Sequence, residues 1–360
     1  MPPAPGEQEH TMELLPRKNV YKANLHCHSN LSDGKLTPEE LVQMYHDLGY
    51  SVLAITDHEF CIDHSDLNRP DFLTLTGYEY QIVDPERPRK PGTKCCHICL
   101  LSKDPHEFKH IAFNPEAYDF KRLCHADEEQ RQKFRYTGDG TVLKYYDTEF
   151  INEVVKEANE NGWIVAYNHP TWSLEDWPTY SKITGFYAME IYNSDCYMLG
   201  LEEYNSRVYD TMLKSGCRLG AIATDDCHYG HPLEDPRCDM GTGWTNICAD
   251  TLAYDDIWQA LKKGDFYAST GPEIRRIAYE DGKIKVETSD AVRIALSTGT
   301  RRADCVMAAR TEAQKKAGYP TVVNAAEFSV RPEDKYVRIT VKDAAGCCAF
   351  SRAYFLDEIQ

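Results

Sequence analysis

Residues 21–58 read YKANLHCHSNLSDGKLTPEELVQMYHDLGYSVLAITDH and predict a strand, a helix and a second strand in succession. Thr37 and Glu40 form a capping box at the helix start, and apolar residues follow at helical spacing. The apolar run SVLAIT predicts a buried strand that leads directly into Asp57 and His58. This stretch therefore predicts a strand–helix–strand unit whose strands end in polar side chains.

The same alternation continues along the chain as far as the segment FYASTGP. Strand-like segments include FLTLTGYEY, WIVAYNHP, GFYAMEIYN and RLGAIATDDCH, and helical segments include EFINEVVKEANENG and LEEYNSRVYDTMLKSG. Such a series predicts parallel βαβ units in a closed or distorted α/β barrel, with an open doubly wound sheet as the alternative. Neither G-x-G-x-x-G nor G-x-x-x-x-G-K-[ST] follows a strand, so the usual nucleotide folds lack their fingerprint.

The composition divides the chain into three parts. Residues 1–20 are rich in proline and polar residues and predict a loose lead-in, and 21–272 form the α/β domain. Residues 273–360 contain short alternating strands separated by turns, which predicts a small β-rich, sandwich-like module.

A polar insertion, residues 103–148, interrupts the α/β domain between two predicted strands. An insertion of this length in a compact domain is typically a lid or a binding loop. Its basic residues either reach over a site and bind an anionic substrate or belong to a solvated charged loop. The basic residues considered are Arg122, Arg131, Arg135 and Lys144.

Charge and composition exclude several classes of protein. The 360 residues include 57 acidic and 40 basic ones, a formal charge of −17, which argues against a duplex nucleic-acid binder. No apolar run approaches the roughly 20 residues of a membrane helix, and no signal peptide is evident. The 14 cysteines then indicate reduced thiols and a cytoplasmic protein. Cys95, Cys96 and Cys99 are interpreted as small buried residues in a strand, since they lack the paired C-x2-C spacing of structural zinc modules.

Histidines and carboxylates gather where the predicted strands end. His26 and His28 are two residues apart, so both point to one face of an extended strand, and the same holds for Asp226 and His228. Burying so many polar groups together without partners would cost roughly 1–3 kcal/mol each, which favours a metal site. Imidazole and carboxylate ligands suit Zn, Mn or Fe. The candidate ligands are His26, His28, Asp33, His58, Glu79, His97, His169, Asp226 and His228.

The order of these motifs resembles the PHP (polymerase and histidinol phosphatase) family. The chain carries in succession His26-x-His28 with Asp33-Gly, Thr-Asp-His58, Gly-Tyr-Glu79, His97, Asn-His169-Pro and Asp226-x-His228. The resemblance covers about residues 20–272 and, with KGDFYASTGP before a β-rich tail, is greatest to the carbaryl-hydrolase-like branch of PHP metallohydrolases. It implies a distorted seven-stranded (β/α) barrel.

The resemblance also implies two or three divalent metal ions. It implies that His26, His28, Glu79 and Asp226 hold the first ion, that Glu79, His97 and His169 hold the second, and that Asp33, His58 and His228 hold the third. Asp57 would orient a metal ligand or serve as a surface or capping residue. The candidate catalytic residues are Glu79, Asp57 and His58.

A hydrolytic function follows from such a centre. Water bridging two divalent ions has its pKa lowered to about 7 and becomes a hydroxide at neutral pH. A third ion favours phosphate, so we expect hydrolysis of a small phosphorylated metabolite or nucleotide. Alternatives are hydrolysis of a carboxyl ester, carbamate or amide, and a non-catalytic metal-stabilised binding protein. A polymerase-associated proofreading nuclease is disfavoured, because a basic surface is missing.

Four residues flanking the strand ends either contact the substrate or pack in the core or at the rim of the site. They are Asn168, Trp172, Tyr192 and Asn193.

Overall fold

The computed structural model describes residues 11–359, except 17, 84–91, 108, 117–119 and 122–123. The contacts within the chain divide it into two units. The larger unit comprises Asn19–Ala268, and the smaller one comprises Met1–Lys18 together with Ser269–Gln360.

Strand β1 (Met12–Leu15) belongs to the smaller unit, and the strands that follow it build the larger one. These are β2 (Asn19–Asn24), β3 (Val52–Ile55), β4 (Leu73–Ile82), β5 (Cys96–Ser102), β6 (Lys109–His110), β7 (Arg135–Tyr136), β8 (Trp163–Tyr167), β9 (Ala188–Asn193), β10 (Gly220–Thr224), β11 (Trp244–Ala249) and β12 (Phe266–Ser269). The helices of this unit are α1 (Pro38–Asp47), α2 (Glu128–Lys133), α3 (Thr148–Glu160), α4 (Trp177–Tyr180), α5 (Ser194–Met198), α6 (Ser206–Lys214) and α7 (Tyr254–Lys263).

Seven strands of the larger unit follow one another in the order β2-β3-β4-β5-β8-β9-β10. The first three are parallel to each other, and so are the last three. Beyond β2 the sheet continues through the antiparallel strand β11. The predicted alternation of strands and helices is thus present in the larger unit.

Strand β5 departs from the predicted parallel arrangement. It pairs antiparallel with β4 on one side and with β8 on the other. The chain therefore leaves β4 and enters β5 at the same edge of the sheet, whereas parallel neighbours require a crossover to the opposite edge. The first residues of β5 consequently lie at the edge where the parallel strands end.

The two ends of this seven-stranded series meet. Cys27, just after β2, forms a parallel bridge with Cys227, just after β10. Backbone bonds run from the amide of Asp226 to the carbonyl of His26 at 2.9 Å and from the amide of His28 to the carbonyl of Cys227 at 2.9 Å. The segments that follow β2 and β10 are therefore held side by side.

Helix α1 shows why these elements form where they do. The Thr37 hydroxyl accepts a bond from the amide of Glu40, whose carboxylate accepts one from the amide of Thr37, as the capping box predicts. Leu41 and Tyr45 on its inner face are fully buried, and they pack in a cluster with Leu53 of β3. The burial of this apolar face fixes the helix against the sheet.

Insertion 103–148 folds around a small apolar core of its own. Its side chains Phe113, Phe120 and Phe134 pack with Phe60, a fully buried residue just after β3. The interpretation of Lys144 as part of a solvated loop is wrong, because Lys144 is buried.

The smaller unit contains two antiparallel four-stranded arrangements, which agrees with the predicted β-rich module. One has the order β1-β13-β14-β17, so residues 12–15 of the expected loose lead-in form an ordered strand there. The other has the order β19-β18-β15-β16, with β20 beside β18. Its elements are β13 (Ile274–Glu280), β14 (Lys283–Ala291), β15 (Arg293–Thr298), β16 (Ala303–Met307), α8 (Glu312–Lys316), β17 (Val323–Ser329), β18 (Tyr336–Lys342), β19 (Cys348–Ser351), β20 (Tyr354–Phe355) and α9 (Leu356–Ile359).

The cysteines match their interpretation as reduced thiols. All 14 are free, and Cys95, Cys96 and Cys99 are buried in or beside β5. Among the described helices, none combines the length and the apolar character that crossing a bilayer requires.

Candidate metal centre

The structure brings all nine candidate ligands together at one edge of the seven-stranded series. Residues that follow parallel strands supply most of them, as expected for the carboxyl ends of such strands. Because β5 runs in the opposite direction, His97 near its start lies at this same edge. Glu79 lies inside β4, which continues to Ile82 and does not end at Glu79 as predicted.

The innermost group consists of two histidines and two carboxylates. Nε2 of His26 and Nε2 of His28 are 3.1 Å apart, and each lies 3.0 Å from Oδ1 of Asp226. The Glu79 carboxylate lies 3.3 Å from Nε2 of His26 and 3.5 Å from Nε2 of His28. These are the four residues expected to hold the first ion.

Glu79 also contacts three further imidazoles. Its Oε1 atom lies 3.0 Å from Nδ1 of His97 and 3.2 Å from Nε2 of His169, and its Oε2 atom lies 2.9 Å from Nδ1 of His58. His97 and His169 therefore meet the carboxylate with which they are expected to share an ion. His58, expected in the third group, also lies in a cluster with Glu79 and His97.

The outer group contains Asp33, His58 and His228. The Asp33 carboxylate lies 3.6 Å from Nε2 of His58 and 3.4 Å from Nε2 of His228, and His28 completes the cluster. The Asp33 side chain is 41% exposed, whereas those of His28 and Glu79 are at most 1% exposed. The outer group therefore lies at the mouth of the site.

The turn that presents Asp33 requires glycine at the next position. A Cβ atom on Gly34 would lie 2.2 Å from the carbonyl oxygen of His28, a distance too short for any side chain. The amide of Gly34 donates to the carbonyl of Ser29 at 3.0 Å. The Asp-Gly pair of the motif thus has a steric explanation.

Electrostatics keep the two innermost carboxylates ionised. Burial raises the pKa of Glu79, but the surrounding imidazoles of His97, His26 and His58 outweigh burial and hold it well below its usual value. Burial likewise raises the pKa of Asp226, and neighbouring histidines again produce a net shift to well below the usual value. Both side chains are therefore available as anionic ligands at neutral pH.

Asp57 supports the loop that carries His28. Its carboxylate accepts bonds from the amide of Ser29 at 2.8 Å, the Ser29 hydroxyl at 2.6 Å and the Ser32 hydroxyl at 2.5 Å. The Ser32 hydroxyl lies 3.5 Å from Nδ1 of His28. Of the two roles considered for Asp57, its burial and contacts fit the orientation of a ligand.

Asp225 and Asp226 point to different partners. Asp225 accepts bonds from the hydroxyl of Tyr45 and from the amides of Gly241, Thr242 and Gly243. Asp226 has a φ of +51°, a left-handed conformation uncommon outside glycine, and its carboxylate faces the histidines. Of the two adjacent aspartates, only Asp226 is thus a ligand candidate.

Sequence reasoning missed Glu190, which lies inside β9. Its Oε1 atom is 2.7 Å from Nδ1 of His26, and its Oε2 atom accepts bonds from the amide of His169 and from the side chain of Asn193. A glutamate in an otherwise apolar strand was the available signal, because such a charge requires buried partners.

Among the described basic residues considered in the insertion, none contacts the nine ligands. The Lys144 ammonium lies 2.7 and 2.6 Å from the carboxylate oxygens of Glu59, and it donates to the carbonyl of Gln81. Arg131 and Arg135 donate to backbone carbonyls within the insertion. Arg122 lies outside the described residues.

The residues present fit divalent metal ions. Oδ1 of Asp226 is buried and has no hydrogen-bond donor, although it lies within 3.0 Å of two imidazole nitrogens. Nδ1 of His58 is likewise buried without a hydrogen bond. Convergent imidazole and carboxylate atoms of this kind are a donor set for Zn, Mn or Fe.

Two curated relatives align with short parts of the chain. The error-prone DNA polymerase of Mycobacterium tuberculosis is 32% identical over 103 residues, which cover 26% of this chain and 9% of the polymerase. The 5'-3' exoribonuclease of Haemophilus influenzae is 53% identical over 38 residues, which cover 11% of this chain and 14% of that protein. The chain therefore aligns with only a small fraction of each relative's length.

Solved structures are similar at low identity. A two-domain protein of Bacteroides vulgatus, described as containing a predicted PHP-like metal-dependent phosphoesterase, is 15% identical, with 97% of this chain and 99% of that chain covered and a TM-score of 0.41. An amidohydrolase of Chromobacterium violaceum is 15% identical, with coverages of 68% and 96% and a TM-score of 0.34.

The family comparison is more specific. Residues 24–165 match the PHP domain family, and this segment includes His26, His28, Glu79 and His97. His169, Asp226 and His228 lie beyond the matched segment but in the same cluster of side chains. Residues 24–165 are thus similar to the PHP domain family, and the cluster of side chains extends beyond the matched segment.

Proposed function

We propose that this chain is a PHP-family metal-dependent phosphoesterase that hydrolyses a small phosphorylated metabolite or nucleotide. One observation carries the proposal. The nitrogens of His26 and His28 converge with the buried carboxylates of Asp226 and Glu79, and Glu79 reaches three more imidazoles. A cluster of this size exceeds what a purely structural polar network needs.

Different groups of ligands would bind the two or three ions. His26, His28, Asp226 and Glu79 would hold one, Glu79 with His97 and His169 a second, and Asp33 with His58 and His228 a third. Divalent ions held there would supply an acidified water molecule and neutralise the charge that develops on phosphoryl oxygens. Glu190 and Asp57 keep the histidines oriented, through the contacts described above.

The preference for phosphate rests on charge. Among the described residues, the nine ligands contact one another and Glu190, and no lysine or arginine joins them. Positive charge at the site would therefore come from the ions alone. Phosphate esters are among the slowest substrates to hydrolyse without a catalyst, so concentrated cationic charge suits them best.

Several finer assignments belong to the same proposal. The β2–β10 series and its joined ends support a distorted (β/α)7 barrel. The segment KGDFYASTGP, followed by the β-rich module, supports the carbaryl-hydrolase-like branch. The 14 free thiols support a cytoplasmic location, and the ligand chemistry supports Zn, Mn or Fe. We propose that neither duplex nucleic acid nor a membrane is a partner of this chain.

A hydrolysis assay with defined metals tests the proposal. Protein reconstituted with Mn or Zn is assayed on p-nitrophenyl phosphate, bis-p-nitrophenyl phosphate, p-nitrophenyl acetate and a short oligonucleotide. We expect metal-dependent turnover of a phosphate ester that His26→Ala abolishes. The matched control is His46→Ala, since His46 pairs with Asp71 and does not contact the ligands.

The other outcomes overturn the proposal in different ways. Turnover of the acetate alone would indicate a carboxyl ester, carbamate or amide hydrolase. No turnover of any substrate, with a metal-dependent rise in melting temperature, would indicate a non-catalytic metal-stabilised binding protein. Hydrolysis of the oligonucleotide without the small esters would indicate a nuclease.

A further inference from the structure

Trp172 combines contact with the ligands and exposure to solvent. Its ring centroid lies 5.1 Å from that of His169, nearly edge to face, and 5.2 Å from that of His97. The residue is nevertheless 38% exposed, whereas Trp163 and Trp258 are at most 1% exposed. One part of the indole therefore covers two candidate ligands, and another part faces solvent beside the site.

Buried polar residues hold the Trp172 loop in place. The amide of Trp172 donates to Oε1 of Glu203 at 2.9 Å, and the Thr171 hydroxyl donates to Oδ1 of Asn205 at 2.9 Å. Asn205 in turn donates its amide to the carbonyl of Ile191 in β9 at 2.8 Å. An aromatic ring on so firmly anchored a loop loses little entropy when a ligand stacks on it.

Further aromatic rings lie on the segment that anchors this loop. Tyr204, which follows Glu203, forms a cluster with Tyr192 and Tyr197, with ring centroids 4.9–5.9 Å apart. Tyr197 is 43% exposed. The segment that anchors the Trp172 loop therefore packs within a cluster of tyrosine rings.

We propose that Trp172 is a specificity-determining residue that stacks on a planar aromatic group of the substrate, attached close to the phosphate. The inference rests on the proposed function, because Trp172 would contact the leaving alcohol of the phosphate ester hydrolysed at the same site. The indole contacts the rings of His97 and His169, so a ring on the alcohol portion of a bound ester lies within its reach. Stacking requires a flat ring and does not depend on particular hydrogen-bonding groups. Trp172 would therefore accept many different planar groups.

Two phosphate esters of similar size test the inference. Benzyl phosphate has a planar ring, cyclohexylmethyl phosphate has a puckered one, and their leaving alcohols are chemically alike. For the metal-loaded full-length protein we expect kcat/KM to favour benzyl phosphate by about tenfold. Trp172→Ala should remove the preference mainly by raising KM for the benzyl ester, and Trp172→Phe should retain most of it.

Trp177→Ala is the matched control. Trp177 is 59% exposed and lies nearby in sequence, but among its described contacts none reaches a candidate ligand. This variant should keep the wild-type preference. An equal fall for both esters in Trp172→Ala would overturn the inference, since it would mean that Trp172 only shields the histidines.

A binding measurement separates this inference from the proposed function. Calorimetry with benzylphosphonate and cyclohexylmethylphosphonate needs no hydrolysis. If the wild-type protein releases no phosphate yet binds benzylphosphonate about tenfold more tightly in a Trp172-dependent manner, the phosphoesterase fails and the inference stands. Equal binding of the two phosphonates, or binding of neither, would overturn it.

Discussion

Nδ1 of His26 lies 2.7 Å from Oε1 of Glu190, a carboxylate fully buried inside β9. The Thr224 hydroxyl donates to the same oxygen at 2.6 Å, so the carboxylate is fixed from two sides. An acceptor at Nδ1 places the proton on that nitrogen and leaves Nε2 with its lone pair toward Asp226. Glu190 therefore acts on the centre through His26, as carboxylates behind metal-binding histidines do.

Glu190→Gln should weaken metal binding by about tenfold to a hundredfold, because the neutral amide orients and polarises His26 less well. Competition with a chromogenic chelator measures the affinity. Glu203→Gln is the matched control, since Glu203 is also fully buried but accepts its bond from the amide of Trp172. Equal affinities for wild type and Glu190→Gln would show that His26 needs no such partner.

Removal of metal should lower the melting temperature of the protein. An ion present at 100 times its dissociation constant stabilises the state that binds it by about 2.7 kcal/mol. For a unit of this size, that corresponds to about 5 to 10 °C, measured with and without chelator by calorimetry. Asp226→Asn should lose most of this increment. Asp225→Asn should lower the baseline yet retain the increment, because Asp225 binds backbone amides instead of the histidines.

Most of the ligands could be predicted from the sequence because they lie where a recognisable strand ends or begins. The direction of β5 could not be predicted, since the alternation of side chains is the same whichever way a strand runs. His97 reaches the centre only because β5 is reversed. Its position in the motif order was thus a better guide than the expected parallel register.

Partners distant in sequence were the other limit. Glu190 is the single charged residue of the strand AMEIYN, so its burial could have been suspected. Its partner His26, however, is 164 residues away in the sequence. Lys144 lies in a charged segment that predicts solvation, and only the fold brings Glu59 to it. Polarity in a sequence does not reveal whether a charge is paired and buried.

Lys144→Met should destabilise the protein by about 3 to 5 kcal/mol, because it leaves the Glu59 carboxylate buried without its cation. The double variant Lys144→Met with Glu59→Gln should recover part of this loss. Urea unfolding measures the free energy. Lys121→Met is the matched control, since Lys121 pairs with Glu116 at the surface and such pairs contribute at most about 1 kcal/mol. A loss as small as the control's would mean that Glu59 is satisfied without Lys144.

Glu175 should make stability depend on pH. Burial raises its pKa to about 7, although the hydrogen bond from Tyr146 lowers it in part. Because the folded state holds this proton more tightly than the unfolded chain, the stabilisation is complete below about pH 4.5 and is lost as pH rises to about 7.

Glu175→Gln should remove this dependence. The free energy of unfolding of the variant, relative to that of the wild type, should therefore rise by about 2 kcal/mol between pH 5 and pH 8. Urea unfolding across that range measures both free energies. Their difference removes the contribution of the titrating groups that the two proteins share. Tyr146→Phe removes the donor that lies 2.9 Å from Oε1 of Glu175, so it should raise the pKa further and extend the loss of stability to higher pH. Parallel pH profiles for wild type and Glu175→Gln would mean that the carboxyl group titrates alike in the folded and unfolded states.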